Sequence, residues 1–192
     1  MSLSPWRAVR NYIAHPDPLV AAGNLIAVVV AWNQPIYPLY LYLFVSRDIG
    51  VSFLTFLSTP FFIAVPVVAR CNSLAGRALL PLIGIANTVL SAKAFGEASG
   101  VELFFAPCIM IAAMLFRRSE RAVMLVLLGL GLVTYVGLRG RYGAPLHLYS
   151  PDEYAAFLGV NALSVGTLSA FVGVVFSNVL ADIESGPTGH GA

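Results

Sequence analysis

Six apolar blocks fill this chain almost end to end, and the connectors between them are too short to hold a soluble domain. Crossing the hydrocarbon core of a bilayer takes about 20 mostly apolar residues as a helix, and several runs reach that length. At 192 residues, 58% hydrophobic and 10% charged, a soluble fold would have too little interior to hide this much apolar surface. Runs such as Leu103 to Phe116 are apolar on every face, which fits a helix in lipid and not the alternation of a barrel strand. The expected class is therefore all-α, a polytopic membrane helix bundle with six transmembrane helices.

The apolar runs place helix 1 at Leu19 to Val45, helix 2 at Val51 to Ala69 and helix 3 at Ala78 to Gly96. Helix 4 follows at Val101 to Phe116, helix 5 at Ala122 to Leu138 and helix 6 at Tyr154 to Ala181, with Gly50, Gly76, Gly100 and Gly140 as breakers between them. Helix 1 is too long for one straight crossing and contains Asn33, Gln34, Pro35 and Pro38, so a break near its middle is expected. Ahead of it, Trp6, Val9 and Ile13 share one helical face, which suits either a short interfacial helix or a frayed leader.

Basic flanks resist translocation, and this sets the orientation. With a cytoplasmic N-terminus the inner segments hold Arg7, Arg10, Arg70, Arg77, Arg117, Arg118 and Arg121, against Arg47, Lys93, Arg139 and Arg141 outside. Both termini are then cytoplasmic, in the inner (plasma) membrane of a bacterium. The expected organisation is an interfacial segment at 1–18, a membrane domain at 19–182 and a disordered polar tail at 183–192.

Several chemistries are set aside. Cys71 and Cys108 lie too far apart along the pattern to pair, and His15, His147 and His190 are too scattered to hold haem. Ser99, in GEASG, has no activating His on helix 6. Ser150, Pro151 and Glu153 read as a capping box that opens helix 6. No basic patch suggests nucleic acid, no internal repeat suggests an inverted-repeat transporter, and no cofactor, metal site or enzymatic motif is expected.

Polar residues within the apolar blocks carry the functional expectation. Asn24, Asn87, Asn161 and Asn178 are expected to hydrogen-bond between helices. Lys93, Glu97 and Glu102 fall together at the outer end of helices 3 and 4, either snorkelling to the interface or flooring a polar pocket. The broken helix 1 would bring Trp32, Asn33, Gln34 and Tyr37 to the same level, and with Asn87 these outline a cavity for a small amphipathic ligand. On helix 6, Gly159, Ala162, Gly166, Ser169 and Gly173 recur three and four apart as a packing seam, expected to face either this chain or a second protomer of a homodimer.

The stretches AWNQPIYPLY, STPFFIAVP, PLIGIANTVLSAKAFG and SGVELFFAPC resemble, across most of the chain, the six-helix membrane anchors found ahead of bacterial adenylate cyclases and sensor histidine kinases. The resemblance implies a sensor that receives a ligand and passes a signal through helix 6 to a cytoplasmic output protein. Only a short tail follows helix 6 here, so the expected output partner is a separate protein. A competing expectation is the substrate-binding membrane subunit of a vitamin-type transporter, for which Ala22, Ala27 and Ala31 would form a loose docking surface on helix 1. A structural subunit of a membrane complex is a third.

Overall fold

The computed structural model describes residues 5–184, and all regular structure among them is helical. An amphipathic helix α1 (Pro5–Ile13) leads into α2 (Pro18–Asn33), where Asp17 caps the first turn by accepting from the Leu19 N–H and Pro18 fills the first helical position. Trp6 and Val9 are exposed on α1, as an interfacial helix requires. Its far end is tied down, because Arg70 donates to the Tyr12 carbonyl at 3.0 Å and Asn24 donates to the Ile13 carbonyl at 3.1 Å.

The expected break in helix 1 is present. α2 ends at Asn33, a 3-10 turn runs over Gln34–Ile36, and α3 (Tyr37–Phe44) completes the span. Pro35 and Pro38 lack the N–H that would continue an α-helical ladder, so the tighter turn absorbs the change. Next comes a nine-residue 3-10 helix, Gly50–Ser58, followed by α4 (Thr59–Cys71).

α5 (Ser73–Phe95) starts earlier than its apolar run, since the Asn72 side chain accepts from the Ala75 N–H. Gly76 therefore lies inside a helix and does not act as the expected connector. Its role is close approach: a Cβ there would meet Ala69 Cα at 2.5 Å, with the Ala69 Cβ also in conflict. Gly76→Ala is accordingly expected to push α4 from α5 and to destabilise the fold by about 1–3 kcal/mol, read as a lower midpoint of thermal unfolding in detergent. Gly96, at φ 85°, ends α5 in a conformation that favours glycine.

After a 3-10 turn at Glu97–Ser99, the chain turns back through a second one, Val101–Phe104, into α6 (Phe105–Met114). A 3-10 turn at Arg118–Glu120 opens α7 (Arg121–Leu138), and α8 (Pro151–Glu184) closes the chain. The capping box at the head of α8 is formed: Ser150 N–H donates to Glu153 Oε2 at 2.8 Å and Glu153 N–H to Ser150 Oγ at 3.3 Å. Ile183 and Glu184 belong to the last turn of α8 and not to a tail, while residues 185–192 of the expected tail lie outside the described residues.

Among the described residues, five segments are long and apolar enough to cross a membrane: Pro18–Phe44, Gly50–Cys71, Ser73–Phe95, Arg118–Leu138 and Pro151–Glu184. The sixth expected span is shorter, running from Val101 to Met114, about 23 Å at the helical rises of its two parts. It still returns the chain from one end of α5 to the other, because the Leu115 carbonyl accepts from Arg77 at 2.8 Å.

The main core joins Ala22, Ile26, Ala27 and Ala31 of α2 to Leu80 of α5, Ile111 and Ala112 of α6, and Val172, Val175, Phe176 and Val179 of α8. At the opposite end a smaller cluster gathers Tyr37, Leu41, Phe95, Tyr149 and Phe157. The chain is thus a polytopic helical membrane protein whose helices pack tightly at both ends.

Candidate functional site

Between those two packed ends lies a cavity of about 880 Å³ bounded by α2, α3, α5, α6 and α8. This is within the ~300–1,000 Å³ range of small-molecule sites. Its walls are mostly apolar, with Val30, Phe62, Leu80, Ile111, Leu168 and Phe171 among them. The polar groups that reach it come from around the break in helix 1 (Asn33, Gln34, Tyr37, Tyr40), from Thr55, from Asn87, Thr88 and Ser91 on α5, and from Ser164 and Thr167 on α8. Among the described residues, no Asp, Glu, Lys, Arg or His side chain lines it.

The broken helix explains how these groups arrive. The 3-10 turn at Gln34–Ile36 directs the Gln34 side chain inward, where Nε2 donates to Ser58 Oγ at 3.0 Å. Ser58, last residue of the long 3-10 helix, reaches both the Thr55 carbonyl at 2.8 Å and Asn87 Oδ1 at 2.9 Å. Two irregular segments are thereby joined across α5 through one hydroxyl. The hydroxyls of Thr55, Thr88 and Ser164 bond their own helices, to Ser52 O, Gly84 O and Val160 O.

The cavity opens sideways. Phe44 of α3 and Leu163 of α8 line it while being 64% and 73% exposed, so its mouth lies between these helices. One end of the opening is closed by Tyr37 OH, which donates to Asn161 Oδ1 at 3.1 Å; Asn161 Nδ2 in turn donates to the Ser99 carbonyl at 2.9 Å. At the other end, the α2 and α8 members of the main core seal it.

Of the residues expected to form the site, Asn33, Gln34, Tyr37 and Asn87 line this cavity. Trp32 does not; it is 78% exposed on the outside of α2. Lys93, Glu97 and Glu102 do not line it either, and the shared face expected for Lys93 and Glu97 is absent because Gly96 ends the helix between them. Lys93 and Glu97 hold the connector 139–150 instead. Lys93 Nζ donates to the carbonyls of Tyr142 at 3.0 Å and Ala144 at 2.7 Å, and Glu97 Oε1 accepts from the Gly140 N–H at 2.6 Å. Burial, with Glu102 and Glu97 close by, pushes the Tyr142 hydroxyl up to about 12.

The seam on α8 also differs from expectation as a contact within the chain. Gly159, Ala162, Gly166 and Gly173 are exposed and Ser169 is half-buried, and a Cβ on any of the three glycines would meet nothing within 4 Å. The bulky face of Phe157, Val172, Val175, Phe176 and Val179 packs inward, turning the small residues away. Of the four asparagines expected to bond between helices, Asn24, Asn87 and Asn161 do so, whereas Asn178 is exposed. Ala22, Ala27 and Ala31 are buried in the main core, so they form no docking surface on helix 1.

Wall residues Thr55, Thr88 and Ser91 carried no signal in the sequence, since isolated hydroxyls are common in apolar spans whether or not they face a cavity. Cys71 and Cys108 are both free thiols, and Cys108 also lines the cavity. Compared with protein-family models, with curated proteins and with solved structures, the chain matches none.

Proposed function

We propose that this chain is a receptor-like bundle of six membrane spans, the sixth being the short Val101–Met114 segment, with both termini on the cytoplasmic side of a bacterial inner membrane. It binds a small amphipathic ligand in the cavity and reports occupancy through α8 to a separate cytoplasmic protein. It does no chemistry of its own. The observation that carries this reading is the cavity itself: about 880 Å³ between packed ends, with polar groups gathered at a break in a spanning helix. α8 is its natural reporter, because it walls the cavity along one side and continues to the basic end of the bundle. The burial of Ala22, Ala27 and Ala31 weighs against the transporter-subunit reading, which wanted them on a docking surface.

Gly159 provides the test, since it lines the cavity and has open space at its Cβ position. Protein purified in mild detergent is expected to carry a small molecule detectable by native mass spectrometry. Gly159→Phe is expected to lose at least about nine-tenths of it while unfolding at the same temperature. An empty wild-type protein, or a variant that retains the ligand fully, would sink the reading.

A further inference from the structure

The proposed reading leaves the chemistry of the ligand open, and Asn33 narrows it. Asn33 is the sixteenth residue of a 27-residue apolar span, exposed at the mouth of the cavity, and its side chain makes no hydrogen bond to any described residue. In hydrocarbon there is no water to satisfy an amide, so an unpaired one at this depth is costly. Gln34 and Asn87 stand beside it on the wall. Their bonds to Ser58 engage Gln34 Nε2 and Asn87 Oδ1, leaving a carbonyl oxygen on the first and an amide N–H on the second for another partner. Three side-chain amides thus offer both donors and acceptors to one region of the cavity.

The rest of the wall sets what can be attached to such a partner. Leu80, Phe62, Ile111 and Phe171 extend the cavity toward the Arg77 end as an apolar chamber. A charged head would be buried there without a counter-charge, since among the described residues no Asp, Glu, Lys, Arg or His side chain lines the cavity. The mouth between α3 and α8 is edged by exposed Phe44 and Leu163, surfaces that face acyl chains in a bilayer. A ligand can therefore pass in from the membrane without meeting water.

Resting on the receptor-like reading, we infer that the cavity is a site for an uncharged single-chain amphiphile drawn sideways from the bilayer. Its hydroxyl or carbonyl head hydrogen-bonds to Asn33, Gln34 and Asn87, and its tail fills the apolar chamber.

The test uses the full chain in lipid nanodiscs with two diazirine-bearing probes of identical chain, a fatty alcohol and the corresponding alkyl sulfate, and maps crosslinks by peptide mass spectrometry. The alcohol is expected to label the wall segments around Gln34 and Asn87 at least about ten-fold more than the permanently charged sulfate. Asn33→Leu is expected to lower that labelling about five-fold or more, while thermal stability stays equal or rises because no bond within the chain is lost. Equal labelling by the sulfate, or full labelling of Asn33→Leu, overturns the assignment of a neutral head. Cavity labelling by neither probe overturns the ligand class, and a native ligand displaced by Gly159→Phe would then leave the receptor-like reading standing.

Discussion

Glu120→Ala is expected to be among the least stable single variants of this protein, losing about 3–5 kcal/mol. The Arg77 side chain is 2% exposed, and its guanidinium forks onto the Glu120 carboxylate with both contacts at 2.6 Å. Its remaining donors reach the Ser73 and Leu115 carbonyls, and its plane lies over Phe116 with 5.6 Å to the ring centroid. Removing the carboxylate leaves a cation enclosed by neutral acceptors, which is a far worse state than having no ions there at all. The double variant Arg77→Met with Glu120→Leu is accordingly expected to recover most of the loss. Thermal or denaturant unfolding in detergent measures both, and a Glu120→Ala protein as stable as wild type would refute the account.

The second large effect falls at Asn161, which is fully buried and joins α8 to Tyr37 on one side and to the Ser99 carbonyl on the other. Asn161→Leu removes both bonds and strands two buried groups, an expected loss of about 2–4 kcal/mol. Tyr37→Phe removes only one of them. A double-mutant cycle between Tyr37→Phe and Asn161→Leu isolates their coupling, expected at about 0.6–2 kcal/mol, the range measured for hydrogen bonds between membrane helices. Additive losses would show that the Tyr37 and Asn161 side chains act independently. The same bond closes one end of the cavity mouth, so Tyr37→Phe is also expected to speed release of bound ligand, read by washout from immobilised protein.

Features set by local chemistry were legible in the sequence. Two prolines within six residues broke helix 1 where expected, Ser150 and Glu153 capped α8, and runs of apolar residues located the long spans. Direction was harder. On a helix that is apolar all round, periodicity does not say which face meets protein and which meets lipid, so of the two alternatives left open for the small residues of α8 the contact within the chain is the one not made. Contacts between distant segments were harder still. Arg77 and Glu120 lie 43 residues apart, and the basic residue reads as an ordinary inner-side charge until the helix start at Ser73 places it inside the bundle. Lys93 and Glu97 were expected either to snorkel or to floor a pocket, and Gly96, which ends the helix between them, leaves both side chains on a connector that no periodicity predicts.

α8 has 34 residues, or about 51 Å of helix, against the roughly 30 Å of hydrocarbon that a span must cross. Asn161 pins it near one end, and about 35 Å of helix separates that pin from Glu184. A tilt of only about ten degrees about the pin carries Glu184 through about 6 Å. Val172, Val175, Phe176 and Val179 lie between that pin and the tip and are packed into the main core, so a displacement at the mouth between Phe44 and Leu163 reaches Glu184 only if the core shifts with it. The geometry is that of a lever whose long arm is clamped by the main core.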